Sequence, residues 1–157
     1  EWGLNLVILK VSQVPEDGGA GGNGPLYLIN PDMCCKLHKV IPMRQAIAGY
    51  GGWLSGIRRD QTASRANVQP VEAMADGRFR IHPMLHWTQD HIQRYMSEYD
   101  LPEHPLTAQG YTSIGCAPCT RRPLTAGGLR SGRWAESGKT ECGLHTGLRD
   151  EPKETSK

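Results

Sequence analysis

The apolar run from Leu4 to Lys10, with Leu6, Val7, Ile8 and Leu9 in succession, is bounded by polar and Gly/Pro-rich sequence. It is too short for an ordinary helix and predicts a buried strand. Glu16 to Gly24 is glycine-rich and reads as a linker loop; it lacks the Gly-Lys-Ser/Thr ending of a phosphate loop. Pro31-Asp32 marks a helix start. From Cys35 to Ala48 the apolar positions Leu37, Val40, Ile41, Ala46 and Ile47 recur at near-helical spacing, until Gly49 stops them. Pro42 is expected to kink or interrupt this helix. Gly52 to Ile57 predicts a second buried strand, ended by the charged turn Arg58-Arg59-Asp60-Gln61 on the usual ligand side of an open α/β sheet. Val71 to Ala75 and Arg78 to Ile81 flank Asp76-Gly77, a hairpin signal. Thr88 to Tyr99 reads as an amphipathic helix with Thr88 as N-cap, Asp90 in the first turn and Ile92, Tyr95, Met96 and Tyr99 on one stripe; Leu101-Pro102 closes it. Farther on, Gly, Pro and Arg dominate and regular structure is harder to read. Leu148 to Lys157 is charged, lacks apolar anchors and is expected to fray.

A chain of 157 residues with 38% apolar content fits one globular domain with a core of ordinary size. The absence of a membrane-length apolar stretch and of a signal sequence in these residues leads to the expectation of a cytoplasmic protein. Five cysteines, two of them adjacent, make a poor disulfide framework, which also favours a reducing compartment. The net charge is only +2. The placement of the bases says more: Lys36, Lys39, Arg58, Arg59, Arg65, Arg121, Arg122, Arg130 and Arg133 all lie between the first cysteine pair and Cys142. That distribution points to an anionic ligand, against the plainer reading of solvated surface side chains.

The cysteines divide into Cys34-Cys35, Cys116-Ala117-Pro118-Cys119 and a lone Cys142. Two close pairs supply the four thiolates that zinc or an iron-sulfur cluster requires, and ligand number alone does not separate the two metals. By itself the second pair also fits a thioredoxin-like redox couple. Lys39, four residues after Cys35, would stand over the same helix face and could meet a bound anion. Arg130 and Arg133 are spaced to aim two guanidinium groups at one phosphate or sulfate. Cys142 is the nucleophile candidate. Lys139 and His145 lie three residues away on either side and favour its thiolate, whereas Glu141 opposes it. His82, His86, His91 and His104 show no metal-binding spacing and read as ordinary polar residues.

Together the stretches Cys34-Cys35-Lys36-Leu37-His38-Lys39-Val40-Ile41-Pro42-Met43, Trp53-Leu54-Ser55-Gly56-Ile57-Arg58-Arg59-Asp60-Gln61-Thr62-Ala63-Ser64-Arg65, Gly110-Tyr111-Thr112-Ser113-Ile114-Gly115-Cys116-Ala117-Pro118-Cys119-Thr120-Arg121, Gly132-Arg133-Trp134 and Glu141-Cys142-Gly143-Leu144-His145 resemble the assimilatory adenylylsulfate (APS) reductases, within the broader phosphoadenylylsulfate reductases. The resemblance runs from about Pro31 to His145. It implies an α/β fold, an adenine nucleotide α-hydrolase-like (PP-loop) sheet with helices on both faces, its amino-terminal strands missing and its carboxyl-terminal segment irregular. Residues 1–147 would form a partial catalytic domain and 148–157 a flexible charged tail.

The resemblance also implies one 4Fe-4S cluster on Cys34, Cys35, Cys116 and Cys119, and a catalytic thiol at Cys142. Attack on the sulfate sulfur of adenylylsulfate would expel AMP and leave S-sulfocysteine, from which thioredoxin or a glutaredoxin-like reductant releases sulfite. By analogy Lys39, Arg65, Arg130, Arg133 and His145 would contact the phosphosulfate, while the cluster tunes the field rather than carrying the transferred electrons. Neither nucleic acid nor membrane is implied as a partner, and homo-oligomerisation is left open. The chain departs from the family in lacking the amino-terminal phosphate loop, in His38 replacing an arginine, and in its Gly-rich segment. Two alternatives are a cluster-bearing enzyme acting on phosphoadenylylsulfate and a non-catalytic metal-binding module.

Overall fold

A computed structural model describes residues 3–11, 24–123, 128–135 and 137–148. The chain divides into two units, residues 1–50 with 142–157 and residues 51–141.

In the first unit, residues 3–11 carry no regular structure, and Leu4, Leu6, Val7 and Ile8 are exposed. The expected buried strand is therefore not formed. A strand needs a neighbour for its backbone N–H and C=O groups, and among the described residues none pairs with this segment. The Gly-rich stretch read as a linker lies, but for Gly24, outside the described residues.

A short helix α1 (Leu26–Ile29) leads into α2 (Pro31–Cys35). Asn30 caps α2 by accepting from the Met33 amide at 2.9 Å, Pro31 fits the first turn because its missing N–H needs no partner there, and Asp32 complements the helix dipole. The helix does not break at Pro42. It widens into a π turn over Lys36–Val40 and resumes as α3 (Ile41–Ala46), with helical backbone angles at both junctions. Placing the wide turn directly before the proline shifts the hydrogen-bond register where Pro42 lacks a donor, so the strain is absorbed without interrupting the rod. A final short helix α5 (Gly143–Thr146) packs on α2 and the π turn. Cys35, Val40, Ile47 and Leu148 are buried here. Leu148 opens the segment expected to be a tail; the rest of that segment lies outside the described residues.

The second unit contains a three-stranded sheet in the order β1-β3-β2, made of β1 (Gly52–Leu54), β2 (Val71–Ala73) and β3 (Phe79–Ile81). β2 and β3 form the predicted antiparallel hairpin, while β1 joins β3 in parallel with Trp53 opposite Arg80. The turn follows from Asp76-Gly77: Gly77 adopts a φ of 85°, and Asp76 accepts from the Arg78 amide and forms an ion pair with its guanidinium. Gly52 permits the close strand approach, because a Cβ there would collide with the Phe79 carbonyl. Ile57, Val68 and Leu85 form the buried cluster beyond the sheet.

Helix α4 (Gln89–Glu98) begins at Thr88 as expected, with the Thr88 hydroxyl accepting from the His91 amide at 3.3 Å and the His91 ring accepting from the Thr88 amide at 3.1 Å. His91, read as an ordinary polar residue, is thus half of a reciprocal cap. The predicted stripe is present, but Tyr95 and Tyr99 remain exposed and stack on one another.

Candidate active site

Cys142 is the residue immediately before α5, in the first unit. The Lys39 ammonium donates to its sulfur at 3.5 Å. The Cys35 thiol does so as well, and that hydrogen bond is the main reason the Cys142 pKa is lowered to about 5. Burial acts in the opposite direction, while the Leu144 amide and the Lys39 charge reinforce the lowering. Cys142 is therefore largely thiolate at neutral pH, as a thiol nucleophile must be. Lys39 reaches it from the π turn. The sequence reading placed Lys39 over Cys35 by α-helical spacing; in the widened turn, both side chains instead meet at Cys142. His145 lies in α5, its amide bonded to the Cys142 carbonyl at 2.8 Å.

The arginines of the second unit converge on Glu141. Arg65, 4% exposed, grips that carboxylate in a two-point fork at 2.7 and 2.8 Å, and Arg130 adds a third bond at 3.1 Å. Gln61 accepts from the remaining arm of Arg65. Two positive charges thus surround one buried carboxylate, leaving a local excess of one cation beside the end of this unit. The sequence reading set Glu141 against the Cys142 thiolate; the structure shows its charge neutralised by Arg65 and Arg130. Glu141 is the organising residue which sequence reasoning missed, and its place next to Cys142 was the available signal.

Arg133 and Arg130 both lie over the Trp134 ring, at 4.5 and 5.4 Å from its centroid. Trp134 is buried and holds a φ of 52°, rare for a bulky side chain, so the surrounding contacts must offset that strain. The same segment fixes the Cys-x-x-Cys turn. Ala117–Cys119 form one turn of 3-10 helix, and the Cys119 carbonyl accepts from the Trp134 amide and the Arg133 guanidinium, both at 3.2 Å. Thr120 accepts from the Gly115 amide at 3.1 Å and donates to the Cys116 carbonyl at 2.8 Å. With its carbonyls engaged, the turn leaves its two sulfurs as its soft donors.

Cys34 and Cys35 belong to the first unit, Cys116 and Cys119 to the second. Within neither unit, among the described residues, do three or more His, Cys, Asp or Glu side chains gather as metal ligands. Each pair by itself offers two soft sulfur donors.

Other basic residues read as ligand-facing have internal partners. Arg58 is buried, bonded to Asp60 at 2.9 Å and Gln89 at 2.9 Å, and Arg59 donates to the Val68 carbonyl at 2.7 Å. His82, expected to be an ordinary polar residue, is buried against Glu72 at 3.0 Å. A cavity of about 390 Å³, lined by Gln89, Gln93, Met96, His104 and Tyr111 among others, contains none of the predicted site residues.

Residues 2–122 match the family described as phosphoadenosine phosphosulfate reductase domain. The chain belongs to that family. It is 46% identical over 146 residues to adenosine 5'-phosphosulfate reductase 1 of Bacillus subtilis (strain 168), covering 91% of this chain and 62% of the relative. To the adenosine 5'-phosphosulfate reductase of Streptomyces coelicolor it is 42% identical over 144 residues, covering 90% of this chain and 61% of the relative. The chain thus spans about three fifths of the length of these curated relatives. Among solved structures it is similar to phosphoadenylyl-sulfate reductase from Candida auris in complex with phosphate, with a TM-score of 0.51 and 28% identity over 59% of this chain and 45% of the other. The α/β class expected from the sequence is that of the family.

Proposed function

We propose that this chain is part of an enzyme that reduces adenylylsulfate to sulfite and AMP in sulfate assimilation, with Cys142 as nucleophile. The observation that carries the reading is the Lys39 ammonium 3.5 Å from the Cys142 sulfur, a cation that favours the thiolate. The names of the relatives support the substrate: two of them, 46% and 42% identical, are adenosine 5'-phosphosulfate reductases.

The Cys142 thiolate attacks the sulfate sulfur, the bond from sulfur to the bridging oxygen breaks, and AMP leaves with the electron pair. Lys39 lowers the repulsion between a thiolate and an anionic substrate. Arg130 and Arg133 are the cations proposed for the phosphosulfate; Arg65, expected there from the sequence, has its guanidinium filled by Glu141 and Gln61 and instead fixes the carboxylate that also holds Arg130. His145 completes the set from α5. An external thiol of a thioredoxin or glutaredoxin-like reductant then attacks the Cys142 sulfur, expelling sulfite and forming a mixed disulfide, and a second thiol of the reductant breaks that disulfide to free Cys142. Cys34, Cys35, Cys116 and Cys119 would hold a 4Fe-4S cluster, which when bound supplies an electrostatic field while the thiols supply both electrons. A cytoplasmic location accords with this chemistry, and no helix among the described residues is long and apolar enough to cross a membrane.

Incubating the chain, reconstituted anaerobically with iron and sulfide, with adenylylsulfate and no reductant should leave a sulfonate adduct on the Cys142 peptide. Added thioredoxin should then release sulfite. A Cys142→Ser variant that still produced sulfite would refute the assignment. Charge-transfer absorption that persisted in a Cys116→Ser, Cys119→Ser double variant would refute the ligand set.

A further inference from the structure

Cys35 is 6% exposed, and its thiol donates directly to the Cys142 sulfur within the first unit. The backbone is shaped for this approach. The residue after Cys142 is Gly143, and a Cβ there would come within 2.8 Å of the Cys35 Cβ, closer than real side chains approach. Helix α5 lies against α2 and the π turn, which keeps the segment that begins at Cys142 beside Cys35. The sulfonyl transfer described above forms no bond between these two sulfurs.

We propose that Cys35 and Cys142 form an internal disulfide when the chain, free of a cluster, meets a low-molecular-weight disulfide such as oxidised glutathione. The Cys142 thiolate attacks one glutathione sulfur, forming a mixed disulfide and expelling one glutathione thiolate. Cys35 then attacks the Cys142 sulfur, and its proton passes to the second departing glutathione. Two protein thiols lose two electrons and one glutathione disulfide gains them. The product ties up the candidate nucleophile and one candidate cluster ligand in one bond, so cluster loading and this disulfide exclude each other. The inference rests on the contact between thiols and stands whether or not adenylylsulfate is the substrate.

The test uses the full chain, reduced and stripped of metal with a chelator, then equilibrated with oxidised glutathione, alkylated and digested without reductant. Mass spectrometry should find a peptide pair joining the Cys34-Cys35 segment to Cys142. The pair should persist in Cys34→Ser and vanish in Cys35→Ser, where Cys142 should instead accumulate several-fold more glutathione mixed disulfide. A wild-type chain whose Cys142 stops at the mixed disulfide would overturn the proposal, as would a link that survives in Cys35→Ser.

Discussion

Glu141 takes both Arg65 and Arg130, so its removal should cost more than an ordinary surface change. Glu141→Gln leaves the Arg65 guanidinium buried without a counter-charge and should destabilise the fold by about 3 kcal/mol, read from urea denaturation. At Cys142 the expected outcome is kinetic. In the cluster-free chain, where the Cys35 thiol and Lys39 lower its pKa to about 5, iodoacetamide should alkylate Cys142 at a nearly constant rate above pH 6 and progressively more slowly as pH falls through 5. Lys39→Met removes a cation that favours the thiolate, so the midpoint should move upward. A lone cysteine between polar and glycine residues already marked Cys142 as reactive in the sequence. The partners were less legible. Lys39 and Cys35 approach it across more than a hundred positions of chain, and no local pattern encodes such a contact. Glu141 was misjudged because its formal charge is visible in sequence, whereas the two guanidinium groups that neutralise it are not.

Local rules served best where an element is self-contained. The hairpin at Asp76-Gly77 and the cap at Thr88 depend on residues a few positions apart, and both form as expected. Thr88→Ala should cost about 1 kcal/mol by freeing the His91 amide, seen as a lower denaturation midpoint. The Arg78 side-chain hydrogen bond is the main cause of the lowered Asp76 pKa. An acid whose folded pKa is depressed contributes stability above its unfolded value and loses it as pH falls through the folded one. The contribution should therefore vanish in strongly acidic solution, and because this pair is exposed, Asp76→Asn should change neutral-pH stability by no more than about 0.5 kcal/mol. Residues 4–11 show the opposite case. Their apolar pattern is that of a strand, but a strand is completed by a neighbour, and among the described residues none pairs with them. Their amides should exchange with deuterium far faster than those of Phe79–Ile81, measured by mass spectrometry after seconds of labelling.

For the molecule as a whole, the cysteine pairs are divided between the two units, while Cys142 and its contacts with Lys39 and Cys35 belong to the first. The family and the α/β class were readable because motifs and their order survive in sequence. The wide turn at Lys36–Val40 was not, since near-helical periodicity tolerates one surplus residue without showing it. That surplus residue sets an angular offset between the two ends of the rod. Deleting a single position within 36–40 would return the backbone to ordinary winding and swing Cys34 and Cys35 by about 100° about the axis relative to Arg44, which bonds the Gly147 carbonyl. The shortened chain could keep its helical circular dichroism and still lose thiol pairing, because its sulfurs would face the wrong way.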